Sequence, residues 1–173
     1  MLSLIIAGSR TVDPSIEDVD AAIGRLLEKH YPNAFAVLKS MQADSGEVDW
    51  PTVILEVVDG GADGGDNAGG RWAACRSVTV HPEPITGQDI AVHGKYKGPR
   101  MRNRRMAERG DCLIAFWDGV SGGTADMVCR MTARGKPALV VPTKSTLKPK
   151  RTVARKGMLK RTEDPDDRAP VTQ

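Results

Sequence analysis

The run Cys112-Leu-Ile-Ala-Phe-Trp-Asp-Gly-Val-Ser-Gly-Gly-Thr-Ala-Asp-Met127 decides how the rest of the chain is read. Its first six residues are apolar without interruption, and Gly110-Asp111 and Asp118-Gly119 bound them, which is the signature of a short buried strand. A strand apolar on both faces suits a parallel sheet covered by helices on each side. Gly122-Gly123-Thr124 then turns the backbone tightly and opens a helix, leaving N–H groups that form a ready site for an anion such as phosphate. Just upstream, the segment from Lys97 reads as a short basic helix. It contributes Arg100, Arg102 and Asn103, which are typical partners of phosphate and of planar polar groups.

Working outward, the same alternation recurs. Leu2–Ala7 is a buried strand that ends in Gly8-Ser9-Arg10. Asp13-Pro14 is a helix start, with Asp as N-cap and Pro at the first helical position. Ile16, Val19, Ile23, Leu26 and Leu27 carry that helix to about Lys29. Pro32 separates it from a second helical piece running from Asn33 to about Met41, and residues 42–51 read as a loop. Thr52–Val58 is a β-branched strand running into the glycine-rich turn Asp59–Asp66. A short helix around Trp72 follows, then a strand at Ser77–His81 and a long loop from Pro82 to Gly98. After the central stretch a helix runs from about Thr124 to Arg134, stopped by Gly135, and Pro137–Val141 is the last strand.

About five strands alternating with helices predict an α/β fold: a Rossmann-like, doubly wound parallel sheet with helices on both faces. With the common order 3-2-1-4-5, strands one and four meet at the switch point, where ligands bind beyond the carboxyl ends of the strands. Four turns then share that edge. They are Gly8-Ser9-Arg10, the turn holding Gly60, Gly61 and Asp66, the Arg100–Asn103 segment, and Gly122–Asp126.

Composition narrows the function classes. The whole chain has 173 residues, enough for one domain with extensions, and a formal charge of +3. That charge is unevenly placed: residues 144–173 carry nine Lys/Arg and four Asp/Glu, leaving a net of −2 on residues 1–143. The expected organisation is a domain at 1–143 and a basic tail at 144–173, poor in apolar residues and expected to lack a packed core. The domain is not a basic nucleic-acid binder by charge, whereas the tail could bind nucleic acid. Cys75, Cys112 and Cys129 are widely spaced in apolar surroundings and read as reduced core thiols. With no C-x-x-C pair and scattered histidines, no metal is expected, and no cofactor is indicated. Met1–Ala7 lacks a basic n-region, and no run has membrane-spanning length, so a cytoplasmic protein without membrane attachment is expected.

Taken together, Ile-Ile-Ala-Gly-Ser-Arg10, Gly60-Gly-Ala-x-Gly-x-Asp66, Gly98-Pro-x-x-x-Asn103-x-x-Met106 with Arg102, and Ala115-Phe-x-x-Gly-x-x-Gly-Gly-Thr-Ala-Asp-Met127 resemble the SLOG superfamily. The closest branch looks like the YspA/YpsA-related proteins of bacteria, phages and mobile elements, and the resemblance covers roughly residues 3–142. It implies a Rossmann-like fold shared with the Smf/DprA DNA-processing proteins and the LOG nucleotide phosphoribohydrolases. It also implies a nucleotide or nucleotide-derived ligand and a homo-oligomer. The LOG enzymes carry R-K-x-x-M and P-G-G-x-G-T-x-x-E. Arg102 and Met106 match the first motif, with Asn103 in place of Lys, and Gly123 and Thr124 match the G-T of the second. Met127 stands where the catalytic Glu of those enzymes falls. Asp126 lies one position earlier, a rotation of about 100° on a helix.

The ligand contacts expected are therefore Gly8, Ser9, Arg10, Gly60, Gly61, Asp66, Arg100, Arg102, Asn103, Gly122, Gly123 and Thr124. Arg104 and Arg105 read as a solvated face, and Tyr96 as a stacking candidate. The first functional reading is a nucleotide sensor or carrier. The second is a nucleoside-monophosphate N-glycosidase, in which Asp126 or Glu108 stabilises an oxocarbenium-like centre while Arg102 holds the phosphate. The third is DprA-like single-strand DNA binding, which needs a continuous basic groove.

Overall fold

The computed structural model describes residues 1–61 and 65–144, and of residues 65, 66, 95 and 96 the backbone alone. The expected contact of Asp66, the stacking role of Tyr96 and the character of the tail beyond Lys144 lie outside the described residues. Five strands form one parallel sheet in the order β3-β2-β1-β4-β5. They are β1 (Leu2–Gly8), β2 (Ile54–Asp59), β3 (Thr79–Pro82), β4 (Cys112–Trp117) and β5 (Ala138–Pro142). The helices between them are α1 (Ile16–His30), α2 (Pro32–Ser45), α3 (Gly65–Cys75), α4 (Gly87–Arg109) and α5 (Gly122–Ala133).

Strand alternation explains the two layers. Leu4 and Ile6 of β1, with Cys112, Ile114 and Phe116 of β4, face a core shared with α1, α2 and α3. The intervening Ile5, Ala7, Leu113 and Ala115 face a second core built with Met106 and Ala107 of α4 and Met127 and Met131 of α5. Such both-sided burial is what an uninterrupted apolar strand encodes. β2 keeps the pattern by way of a bulge. Leu2 pairs with Ile54 but Ser3 with Glu56, so Leu55 is skipped and left 53% exposed.

Several boundaries differ from the sequence reading. Asp13 is not the cap of α1; Ser15 is, in a reciprocal capping box with Asp18, while Asp13 pairs with Arg71. α2 runs on to Ser45 and ends at Gly46 in the left-handed conformation. The largest correction is at Pro82–Gly98, read as a loop. From Gly87 onward it is helical, because Thr86 and Asp89 form a second capping box. The break is confined to Gly94, whose φ of 76° interrupts α4. The thiols also differ from expectation: Cys112 is buried, but Cys75 and Cys129 are exposed. Among the described residues no helix is long and apolar enough to cross a membrane.

Three polar ties fix α4, the helix that carries Arg102 and Asn103. At its end Arg109 grips Glu56 of β2 through Nε at 2.7 Å and Nη2 at 2.8 Å, while Ser3 Oγ donates to the same carboxylate at 2.9 Å. The bonds from Arg109 outweigh burial and hold the Glu56 carboxyl below its ordinary range. Lys136 Nζ donates to the carbonyls of Ala107, Glu108 and Gly110 at 2.8–2.9 Å, placing a cation on the negative end of the helix. The third tie corrects the sequence reading of Arg105 as solvated. Its guanidinium bonds both oxygens of Asp89, Glu83 and the Pro84 carbonyl, and so ties the two segments of α4 together across the Gly94 break. Arg104, by contrast, stays half exposed and pairs with Glu108.

Candidate ligand site at the switch point

β1 and β4 are neighbours, and the chain leaves both at the same sheet edge. Their following turns, with α4 and α5, enclose a cleft of about 480 Å³. Gly8, Arg10 and Thr11 enter it after β1, Pro99, Arg100, Arg102 and Asn103 from α4, and Asp118 and Ser121 to Thr124 after β4. Met106 and Met127 also line it, and Asp126 borders it. Eight of the residues expected to contact a ligand thus meet in one place: Gly8, Arg10, Arg100, Arg102, Asn103, Gly122, Gly123 and Thr124.

The turn after β4 is shaped by Asp118. Its Oδ1 accepts the N–H groups of Val120 and Ser121 at 3.0 and 2.9 Å, and its Oδ2 accepts the Thr11 hydroxyl at 2.8 Å. Burial opposes the charge, but these donors outweigh it and hold the carboxyl down at about 2. The helix then starts at Gly122 rather than Thr124, so both glycines lie in its first turn. Ser121 is the N-cap residue yet makes no side-chain cap bond. The first N–H groups of an α-helix have no acceptor within it, and here the residues that carry them, Gly122 to Thr124, line the cleft. Neither Gly122 nor Gly123 has a neighbour within 4 Å of the place where a Cβ would stand.

Arg102 is 9% exposed, and its Nη1 donates to the Gly60 carbonyl at 2.8 Å. Its Nη2 donates to Asn103 Oδ1 at 3.2 Å. Asn103, 3% exposed, passes the link on: Nδ2 donates to the Gly123 carbonyl at 3.2 Å and to Asp126 Oδ2 at 3.0 Å. Arg130 Nε also donates to Asp126 Oδ2, at 2.9 Å. One hydrogen-bonded chain therefore runs from the β2 turn through α4 to the first turn of α5. Asn103 acts less as a free ligand donor than as the strut between the guanidinium and the glycine turn.

Other expected residues are placed elsewhere. Ser9 is fully buried: its Oγ accepts from Asp118 N–H at 3.1 Å and its N–H donates to the Phe116 carbonyl, so it clips β1 to β4 behind the cleft. Gly60 reaches the site only through Arg102, and Gly61, at φ 64°, folds back onto Asp59. Glu108 is half exposed, pairs with Arg104 and Arg134, and is not brought to the cleft. Sequence reasoning missed Asp118 and Thr11. The signal was there in Asp118-Gly119, read only as the end of a strand, because an aspartate two and three residues before free N–H groups commonly makes such a turn. Comparison of the chain with family models, with curated proteins and with solved structures finds no match.

Proposed function

We propose that this protein binds a nucleotide or nucleotide-derived molecule in the switch-point cleft and acts as its sensor or carrier. The observation that carries the reading is the convergence of the α5 first turn with Arg10, Arg100 and Arg102 on a single cleft. Helix N–H groups and guanidinium groups together suit a phosphate. The volume is in the range of small-molecule sites, and a site enclosed between two turns and two helices suits a single nucleotide better than a continuous strand of nucleic acid. Among the described residues, the hydrogen bonds to Asp126 fall on Oδ2, which leaves Oδ1 to accept from a ligand hydroxyl. That supports a sugar beside the phosphate.

Binding is favoured over glycosidic cleavage. Asp126 is engaged by Arg130 and Asn103, and the second carboxylate considered for catalysis, Glu108, lies off the cleft. The test is titration calorimetry of the full chain with a nucleoside monophosphate, the matching nucleoside and inorganic phosphate, with chromatography for released base. Saturable binding that needs the phosphate, with no base released, supports the reading. Equal binding of nucleoside and nucleotide would sink the phosphate site, and steady release of base would replace the sensor with the glycosidase.

A further inference from the structure

On the sheet face opposite α4 and α5 lies a groove of about 1040 Å³ between α1, α2 and the turn that follows α3. Its lining includes Leu38 and Trp50, both buried, and the half-buried Phe35 and Val48. Asp20 and Arg76 also line it but bond one another. That leaves the exposed Glu17, Glu47 and Asp49 against Lys39, so the groove is apolar below and acidic above. The cleft described above does not use it.

We infer that this groove receives the basic segment Lys148–Arg161 of the same chain. That segment carries seven Lys/Arg and no Asp/Glu, with Val153, Met158 and Leu159 interspersed. Its charge complements the acidic residues, and its apolar side chains suit the apolar lining. The path is short. The last described tie is Thr143 N–H on the Trp117 carbonyl, just after β5, and α1, which walls the groove, packs against β5. The five residue steps from Thr143 to Lys148 span roughly 17 Å when extended, more than the ~10–12 Å diameter of the helix to be rounded. Twenty-nine residues follow Lys144.

The native thiols make a test. Cys75 lines the groove and is exposed, Cys129 is exposed on α5, and Cys112 is buried. The full chain is alkylated with N-ethylmaleimide at low salt, and the rate at each cysteine is read by peptide mass spectrometry. With the segment docked, Cys75 reacts about tenfold more slowly relative to Cys129, matching a docked-to-free ratio of about ten. Salt at about 1 M, where the Debye length is near 3 Å, restores the rate, as does the variant K150E/R151E/R155E/K156E. Continued silence of Cys112 reports that the variant is folded. An equal Cys75 to Cys129 ratio in all three samples overturns the inference. Protection that rises with protein concentration overturns the intramolecular form and assigns the groove to the segment of a neighbouring copy.

Discussion

Two glycine turns reach toward the same ligand site, and they need glycine for different reasons. At Gly60 a Cβ would stand 2.9 Å from the Arg102 guanidinium carbon, so a side chain there displaces the buried guanidinium that bonds the Gly60 carbonyl. At Gly122 and Gly123 a Cβ would meet nothing within 4 Å, and neither residue has the positive φ that favours glycine. Folding alone makes no demand there; indeed glycine inside a helix costs roughly 0.5–1 kcal/mol relative to alanine. The difference separates a turn shaped by a neighbouring side chain from one kept open on the cleft. It also sets apart two turns that the sequence reading took alike as ligand contacts.

The harshest test of the comparison removes the group that links the two turns. Arg102→Ala should lower affinity for a nucleoside monophosphate roughly tenfold to hundredfold, because a hydrogen bond to a charged group contributes about 1.5–3 kcal/mol. Calorimetry on the variant reads this directly, and wild-type affinity would detach the buried guanidinium from the ligand. A paired substitution sharpens the contrast. Gly60→Ala should push Arg102 off its carbonyl, losing about tenfold in affinity and lowering the melting temperature. Gly123→Ala should also lose affinity, because its methyl enters the cleft, yet melt at or slightly above wild type. If Gly123→Ala loses stability as Gly60→Ala does, the two turns are alike and the comparison fails.

How much of this was legible follows the same division. The strands and their order could be read, because an apolar run such as Cys112–Trp117 is buried on both faces in any compact arrangement. The shared edge followed from topology, and with it the meeting of Arg10, Arg102 and Gly122–Thr124. What could not be read were partners distant in sequence. Nothing local indicates that Ser9 faces inward to hold Asp118, or that Arg105 reaches back to Asp89 and Glu83. The helix from Gly87 was missed for a local reason: Pro82, Pro84, Gly87, Gly94 and Gly98 read as loop punctuation. The capping box Thr86-Gly-Gln-Asp89 outweighs them, with Arg105 pinning the result.

Arg105 accordingly offers a smaller effect of another kind. Arg105→Ala leaves Asp89, 7% exposed, without its cation. The substitution should loosen the Gly87–His93 segment while changing nucleotide affinity by less than about threefold. Hydrogen exchange at Ile90–Val92 would rise while Met106–Glu108, held by Arg109 and Lys136, keep their protection. A loss of affinity equal to that of Arg102→Ala would mean that the first segment of α4 belongs to the site.

The mildest effect concerns the turn that presents Gly122–Thr124, and it depends on pH. Asp118 holds that turn through Val120, Ser121 and Thr11, and its carboxyl lies at about 2 against an ordinary 3.8. A folded-state value below the unfolded one means that the ionised group stabilises the fold above about pH 4, and that this contribution fades as pH falls from about 4 toward 2. Asp118→Asn keeps the size of the side chain but not its charge, so it should melt below wild type near neutral pH. The gap should close over that acid window, because wild type there becomes neutral at the same position. Melting curves of both proteins between pH 7 and pH 2 measure it. A gap that is constant with pH would show that the side-chain oxygens, rather than their charge, hold the turn. The first turn of α5 would then remain in place in acid, and any acid loss of phosphate binding would have to come from the ligand's own titration.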